Sequence, residues 1–125
     1  MKVLSIEQMA MMKELGVDVK PKCTCLMYTS DSSDNYYLKY GESTCEDDVV
    51  AFGLQDIIEL LPDTIEVGKN NYYYLILQKE TNAYYHCVYE NLDLEILHRY
   101  RSSTMIESAY QMLLWVIENG YLKKK

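Results

Sequence analysis

The chain has 125 residues, and its 19 acidic against 12 basic side chains give a formal net charge of −7. Lys123, Lys124 and Lys125 hold three of those basic groups, so the rest of the chain is more acidic still. Such a chain should repel phosphate backbones, which argues against nucleic acid as a partner. A chain of this length, with no low-complexity run, is expected to fold as one domain, residues 1–125.

Cysteine usage and hydropathy indicate the compartment. The cysteines are Cys23, Cys25, Cys45 and Cys87. They are too few and too irregularly spaced for a secreted disulfide framework, and polar residues interrupt the first sixteen positions where a signal peptide would be continuously apolar. No run of 18 apolar residues occurs, so no membrane span is expected. We therefore predict a cytoplasmic protein.

The apolar residues of 104–120 predict the central helix of the core. Thr104 and Glu107 have capping-box spacing, and Gly120 suits the position just beyond a helix end. The second half of this stretch, which holds Trp115, is apolar nearly all round, so other elements must cover most of it.

Two further helices are predicted earlier in the chain. Ser5 and Gln8 form a second capping-box pattern, and Gly16 ends that helix. Apolar residues of 54–61 recur at helical spacing until Pro62 terminates the segment.

Five stretches rich in aromatic and β-branched residues predict strands. They are 23–28, 36–40, 72–79, 84–89 and 94–100. The first two are expected to form a hairpin and the last three an antiparallel meander. The fold class is therefore α+β, with an antiparallel sheet of about five strands and three helices in the order α-β-β-α-β-β-β-α. We expect the helices to cover one face of this sheet and leave the other for solvent or a partner.

The second half of that order matches a double-stranded RNA-binding domain. The matching helix start, 102–110, contains none of the lysines with which that fold binds phosphates. Order alone does not support RNA binding.

The cysteines and histidines carry one candidate chemistry, and its signal is weak. Cys23 and Cys25, with Cys45, His86 and Cys87, could supply a zinc site, but no second closely spaced pair completes the usual pattern. Acidic neighbours at 46–48 disfavour the thiolate that a nucleophilic Cys45 would need. We predict no catalytic residue, no metal and no cofactor, with a metal-binding protein or enzyme kept as a third interpretation.

Tyrosine is the compositional anomaly, with 13 tyrosines against one phenylalanine. Because neighbouring residues of a strand point to opposite faces, some of these rings should lie on the uncovered face. We assign Tyr36, Tyr72, Tyr74 and Tyr84 to that face as a protein-binding surface, since tyrosine is enriched at recognition surfaces. Alternatively, the hydroxyls only keep half-exposed strand positions soluble. A homodimer through strand edges or tyrosines is also compatible with the sequence.

Three segments, SIEQMAMMKELGVD, LQDIIELLPDTI and SAYQMLLWVIENGYLK, carry a resemblance. Through them the chain resembles short uncharacterised proteins encoded in prophage and mobile-element regions of gut anaerobic bacteria. The segments are capping and packing stretches, so the resemblance implies origin and assigns no functional residue.

These observations favour a non-enzymatic, protein-binding accessory protein of a phage or mobile element. The alternative is an acidic inhibitor that mimics nucleic acid and blocks a host nuclease or defence protein. Its basis is the local cluster of Glu42, Glu46, Asp47 and Asp48.

Overall fold

The computed structural model of the chain describes residues 3–17, 25–30, 36–41, 49–80 and 83–122. In these ranges the elements are α1 (Ile6–Glu14), β1 (Cys25–Ser30), β2 (Tyr36–Gly41), β3 (Val49–Val50), α2 (Leu54–Leu60), β4 (Thr64–Glu66), β5 (Tyr72–Lys79), β6 (Tyr85–Glu90), β7 (Ile96–Ser102) and α3 (Met105–Glu118). The predicted α+β class is confirmed. The chain divides into two compact units, Met1–Gly53 and Leu54–Lys125.

The predicted number and order of strands need correction. The described residues form a three-stranded sheet, β2-β1-β3, and a four-stranded sheet, β4-β5-β6-β7, rather than one sheet of about five strands. The two additional strands, β3 and β4, have two and three residues, too short to show an alternating pattern in the sequence. With β4 included, four strands separate α2 from α3, so the order no longer matches a double-stranded RNA-binding domain.

In the first unit, α1 has the ends that the sequence predicts. The Ser5 side chain accepts a hydrogen bond from the backbone of Gln8, whose side chain returns one to the Ser5 backbone, completing the capping box. The chain leaves the helix through Gly16 at φ +90°, a conformation that favours glycine. Met9 and Met12 are buried, so this edge of α1 packs as core.

The first unit's sheet pairs β1 with β2 and β3, both antiparallel. The Tyr28 hydroxyl donates to the Leu4 carbonyl at 2.8 Å, and the Leu4 amide donates to the Phe52 carbonyl at 2.9 Å. These bonds tie the segment before α1 to β1 and to the chain after β3.

In the second unit, α3 packs on β5, β6 and β7 and also against α2. The Thr104 side chain accepts from the Glu107 amide at 3.2 Å, which forms the predicted cap, and Gly120 at φ +76° follows the helix end. The fully buried Ser108 donates its hydroxyl to the Tyr85 carbonyl at 2.9 Å. This bond fixes the start of α3 on β6.

Register defines which face of the four-stranded sheet α3 covers. Leu75, Tyr89 and His98 lie side by side across β5, β6 and β7, and Cys87 lies on the same face as Tyr89. The His98 ring stacks on Trp115 of α3, with centroids 4.4 Å apart, and both Cys87 and Tyr89 are fully buried. We call this the helix face.

Candidate functional site

The opposite side of the four-stranded sheet, which we call the far face, turns away from α3. Cross-strand partners and strand alternation assign to it Thr64, Glu66, Tyr72, Tyr74, Ile76, Gln78, His86, Val88, Glu90, Arg99 and Arg101. Val88 at its centre is buried, and its cross-strand partner Arg99 is exposed. Tyr72 and Tyr74 are exposed toward one end, and Gln78 and Arg101 toward the other. The two end regions of the far face carry different kinds of side chain.

The first region contains Tyr72 and Tyr74. Their side chains are 43% and 40% exposed, and Tyr74 lies between Thr64 and Glu90 in the register. Tyr72 pairs with Glu66, and a hydrogen bond to that carboxylate, reinforced by its charge, raises the pKa of Tyr72. We call Tyr72 and Tyr74 the tyrosine pair. It presents two aromatic rings beside carboxylates.

The second region is a polar network that sequence reasoning missed. The Glu80 carboxylate contacts His86 Nδ1 at 2.9 Å and accepts from Arg101 Nε at 2.8 Å, while His86 Nε2 lies 3.1 Å from Gln78 Oε1. The Arg101 guanidinium also lies 5.7 Å from the centre of the Tyr84 ring, within cation–π range. Tyr84, at 50% exposure, is therefore part of a charged network rather than of the tyrosine pair.

Electrostatics favour the ionised form of Glu80. Desolvation opposes the charge on this carboxylate, but the hydrogen bond and attraction of Arg101, followed by those of His86, outweigh it and lower the pKa of Glu80. The network thus holds a carboxylate between two basic side chains.

Among the predicted tyrosines of the second unit, Tyr84 lies apart from Tyr72 and Tyr74. Tyr84 comes six residues before Glu90, the cross-strand partner of Tyr74, so the two tyrosines are separated by about 20 Å along the strands. Tyr36 begins β2 in the other unit, and its side chain lies outside what the structure describes. Of Tyr72, Tyr74 and Tyr84, the tyrosine pair alone is contiguous by register.

The strand predicted to begin at Leu94 begins later in the structure. Alternation predicts Leu94 within a strand and on the same face as His98, but β7 begins at Ile96 and Leu94 lies in the loop 91–95 with φ +65°. Leu92 and Leu94 are 85% and 75% exposed. Alternation misled because Leu92, Leu94 and Ile96 interleave with acidic residues in the loop as they would in a strand.

The metal-ligand candidates are not assembled where the structure describes them. His86 and Cys87, as neighbours in β6, point to opposite faces of the sheet. Burial raises the pKa of the Cys87 thiol to about 12, which keeps it protonated and unreactive. Cys23 and Cys45 lie outside the described residues, as does the acidic cluster at 42–48. Among the described residues, no three His, Cys, Asp or Glu side chains group as metal ligands.

Comparison of the chain with protein-family models, curated proteins and solved structures finds no match. None of the helices in the described ranges is long and apolar enough to cross a membrane. The candidate functional surface is the far face together with the loop beside it.

Proposed function

We propose that this protein is a non-enzymatic, cytoplasmic binding protein that contacts another protein through the tyrosine pair. The observation that carries the proposal is the exposure of Tyr72 and Tyr74 on the face turned away from α3. Tyrosine offers a large contact area with few rotatable bonds, so ordering it against a partner has a low entropic cost. Two such rings on one strand supply the kind of aromatic anchor that dominates protein interfaces.

The state of the reactive side chains supports binding over catalysis. Both ring nitrogens of His86 are within hydrogen-bond distance of neighbours, Glu80 and Gln78. The Cys87 thiol is buried on the helix face and protonated. In the described ranges these side chains stabilise the sheet rather than present a nucleophile with its base.

The proposed setting is a phage or mobile element. The support is the resemblance of three packing and capping segments to uncharacterised prophage and mobile-element proteins. This resemblance does not identify a partner. Inspection of the genes that flank the coding sequence tests this part, since neighbours typical of host metabolism would contradict it.

Affinity capture from the organism that encodes the chain tests the binding surface. We expect a specific protein to co-purify with the wild type and its recovery to fall at least ~10-fold for Tyr72→Ala/Tyr74→Ala, because interface aromatics are common hot spots. Tyr84→Ala is the matched control, since it removes an exposed tyrosine that precedes β6, near Arg101 and away from the tyrosine pair. Equal recovery with the double variant and the wild type would refute the assignment of the tyrosine pair.

A further inference from the structure

The loop 91–95 and the first residue of β7 display an apolar tip. Leu92 is 85% exposed, Leu94 75% and Ile96 45%. Isolated apolar residues are common on protein surfaces, but three within five residues form a local patch. We call Leu92, Leu94 and Ile96 the apolar tip.

Hydrogen bonds hold the loop in one shape. The Asn91 side-chain oxygen accepts from the amides of Asp93 at 3.0 Å and Glu95 at 2.9 Å, and its amide group donates to the Glu95 carboxylate at 3.0 Å. The Asn91 amide also donates to the Glu95 carbonyl, and the Leu94 amide donates to the Asn91 carbonyl. Asn91 itself is buried. The tip is therefore pre-organised, which reduces the entropy lost on binding.

The backbone at Leu94 is strained. Its φ of +65° lies in the left-handed region, which glycine and asparagine adopt readily and a leucine does not. The loop thus places a large apolar side chain in solvent at a position whose backbone favours another residue. Strain of this kind is a reason to look for function in the side chain.

The charges beside the tip are mostly negative. Asp93 and Glu95 are exposed within the loop, and Glu90 precedes it. The cross-strand pair of Tyr74 with Glu90 places the tyrosine pair at the same end of the sheet, together with Glu66. Lys69, in the loop between β4 and β5, is the one described cation of that loop. Such an end attracts basic groups and repels anionic lipid headgroups.

We propose that the apolar tip inserts Leu92 and Leu94 into an apolar pocket of the partner protein, bordered by lysine and arginine side chains. The proposal rests on the proposed function, because the apolar tip and the tyrosine pair lie at one end of the sheet, where one partner can contact both. It adds the chemistry of the partner's surface. The leucines supply apolar contact, and Asp93 and Glu95 pair with the basic border and set orientation and association rate.

The experiment captures the partner from host lysate, purifies it and measures its dissociation constant with defined variants. Leu92→Ser/Leu94→Asn should weaken binding by roughly 30-fold or more, as expected when two central apolar contacts are removed. Asp93→Asn/Glu95→Gln keeps the size of both side chains and should weaken binding several-fold and reduce its dependence on salt. The residues of the partner that cross-link to a photoreactive group at position 92 should be apolar, with lysine or arginine beside them.

Thermal unfolding of each variant separates lost contact from lost fold. Leu94→Asn places a residue that tolerates the left-handed region at that position, so its unfolding midpoint should not fall below that of the wild type. If a variant is as stable as the wild type but binds more weakly, the loss measures the contribution of the leucine side chains to binding.

The remaining outcomes overturn the inference. The inference fails if the leucine variant binds the partner as well as the wild type does, or if no specific partner is recovered. It also fails if Leu92 and Leu94 promote only self-association or binding to phosphatidylcholine–phosphatidylglycerol vesicles. A partner lost by Tyr72→Ala/Tyr74→Ala but bound normally by the leucine variant would leave the proposed function standing while this inference fails. A partner lost by the leucine variant but bound normally by Tyr72→Ala/Tyr74→Ala would support the apolar tip and reject the tyrosine pair as the binding surface.

Discussion

The two faces of the four-stranded sheet use the same residue types for different purposes. On the helix face, the Tyr89 hydroxyl donates to the Pro62 carbonyl at 2.7 Å and His98 stacks on Trp115. On the far face, Tyr72 is exposed and His86 belongs to a polar network. The difference shows that residue type alone does not decide which side chains of this sheet are buried. Strand parity and the position of α3 decide which tyrosines and histidines are structural.

The largest effect that the comparison predicts is at Tyr89. Tyr89→Ala removes a fully buried ring and a hydrogen bond, so we expect the free energy of unfolding to fall by about 3–5 kcal/mol. Tyr89→Phe keeps the ring but leaves the Pro62 carbonyl without this donor, and should cost about 1–3 kcal/mol. Urea denaturation measures both changes. A loss below about 1 kcal/mol for Tyr89→Ala would mean that the helix face does not form the core of the second unit.

A smaller and pH-dependent effect is predicted at His98. Its Nε2 atom is buried without a hydrogen-bond partner among the described residues, and its ring contacts Trp115 and, edge to face, Tyr100. Burial lowers the pKa of His98, so the folded protein binds a proton at this ring less readily than the unfolded chain, in which histidine titrates near pH 6.5. The stability associated with His98 is therefore complete above that pH and decreases as the pH falls below it.

Urea denaturation between pH 7.5 and 5.5 measures this dependence. His98→Phe preserves an aromatic ring against Trp115 but cannot bind a proton, so its stability should decline less over this interval than that of the wild type. Glu80 does not confound the comparison, because its pKa is lowered below an ordinary value of 4.5. Identical pH profiles for the two proteins would contradict a lowered pKa of His98.

The sequence predicted the elements whose determinants are local. Ser5 and Thr104 cap their helices as expected, because a capping pattern lies within a few consecutive residues. The start of β7 was predicted two residues too early because the Asn91 side chain accepts from the Glu95 amide, and hydrophobic alternation does not report such a bond.

The polar network could not be predicted for a related reason. Glu80, His86 and Arg101 come from different segments, and only the register of β6 with β5 and β7 brings them together. The same register separates Tyr84 from the tyrosine pair. A list of candidate tyrosines could be read from the composition, but their grouping required the cross-strand partners.

The smallest expected effect on stability is at Tyr74. Tyr74→Ala removes a ring that is 40% exposed on the far face, so we expect the free energy of unfolding to change by less than about 1 kcal/mol, mainly through lost cross-strand contact with Thr64 and Glu90. Urea denaturation beside Tyr89→Ala makes the test, because both variants delete the same side chain from opposite faces of one sheet. A loss comparable to that of Tyr89→Ala would assign Tyr74 to packing. A small loss together with reduced capture of the partner would mean that the ring contributes little to the fold and is available for recognition.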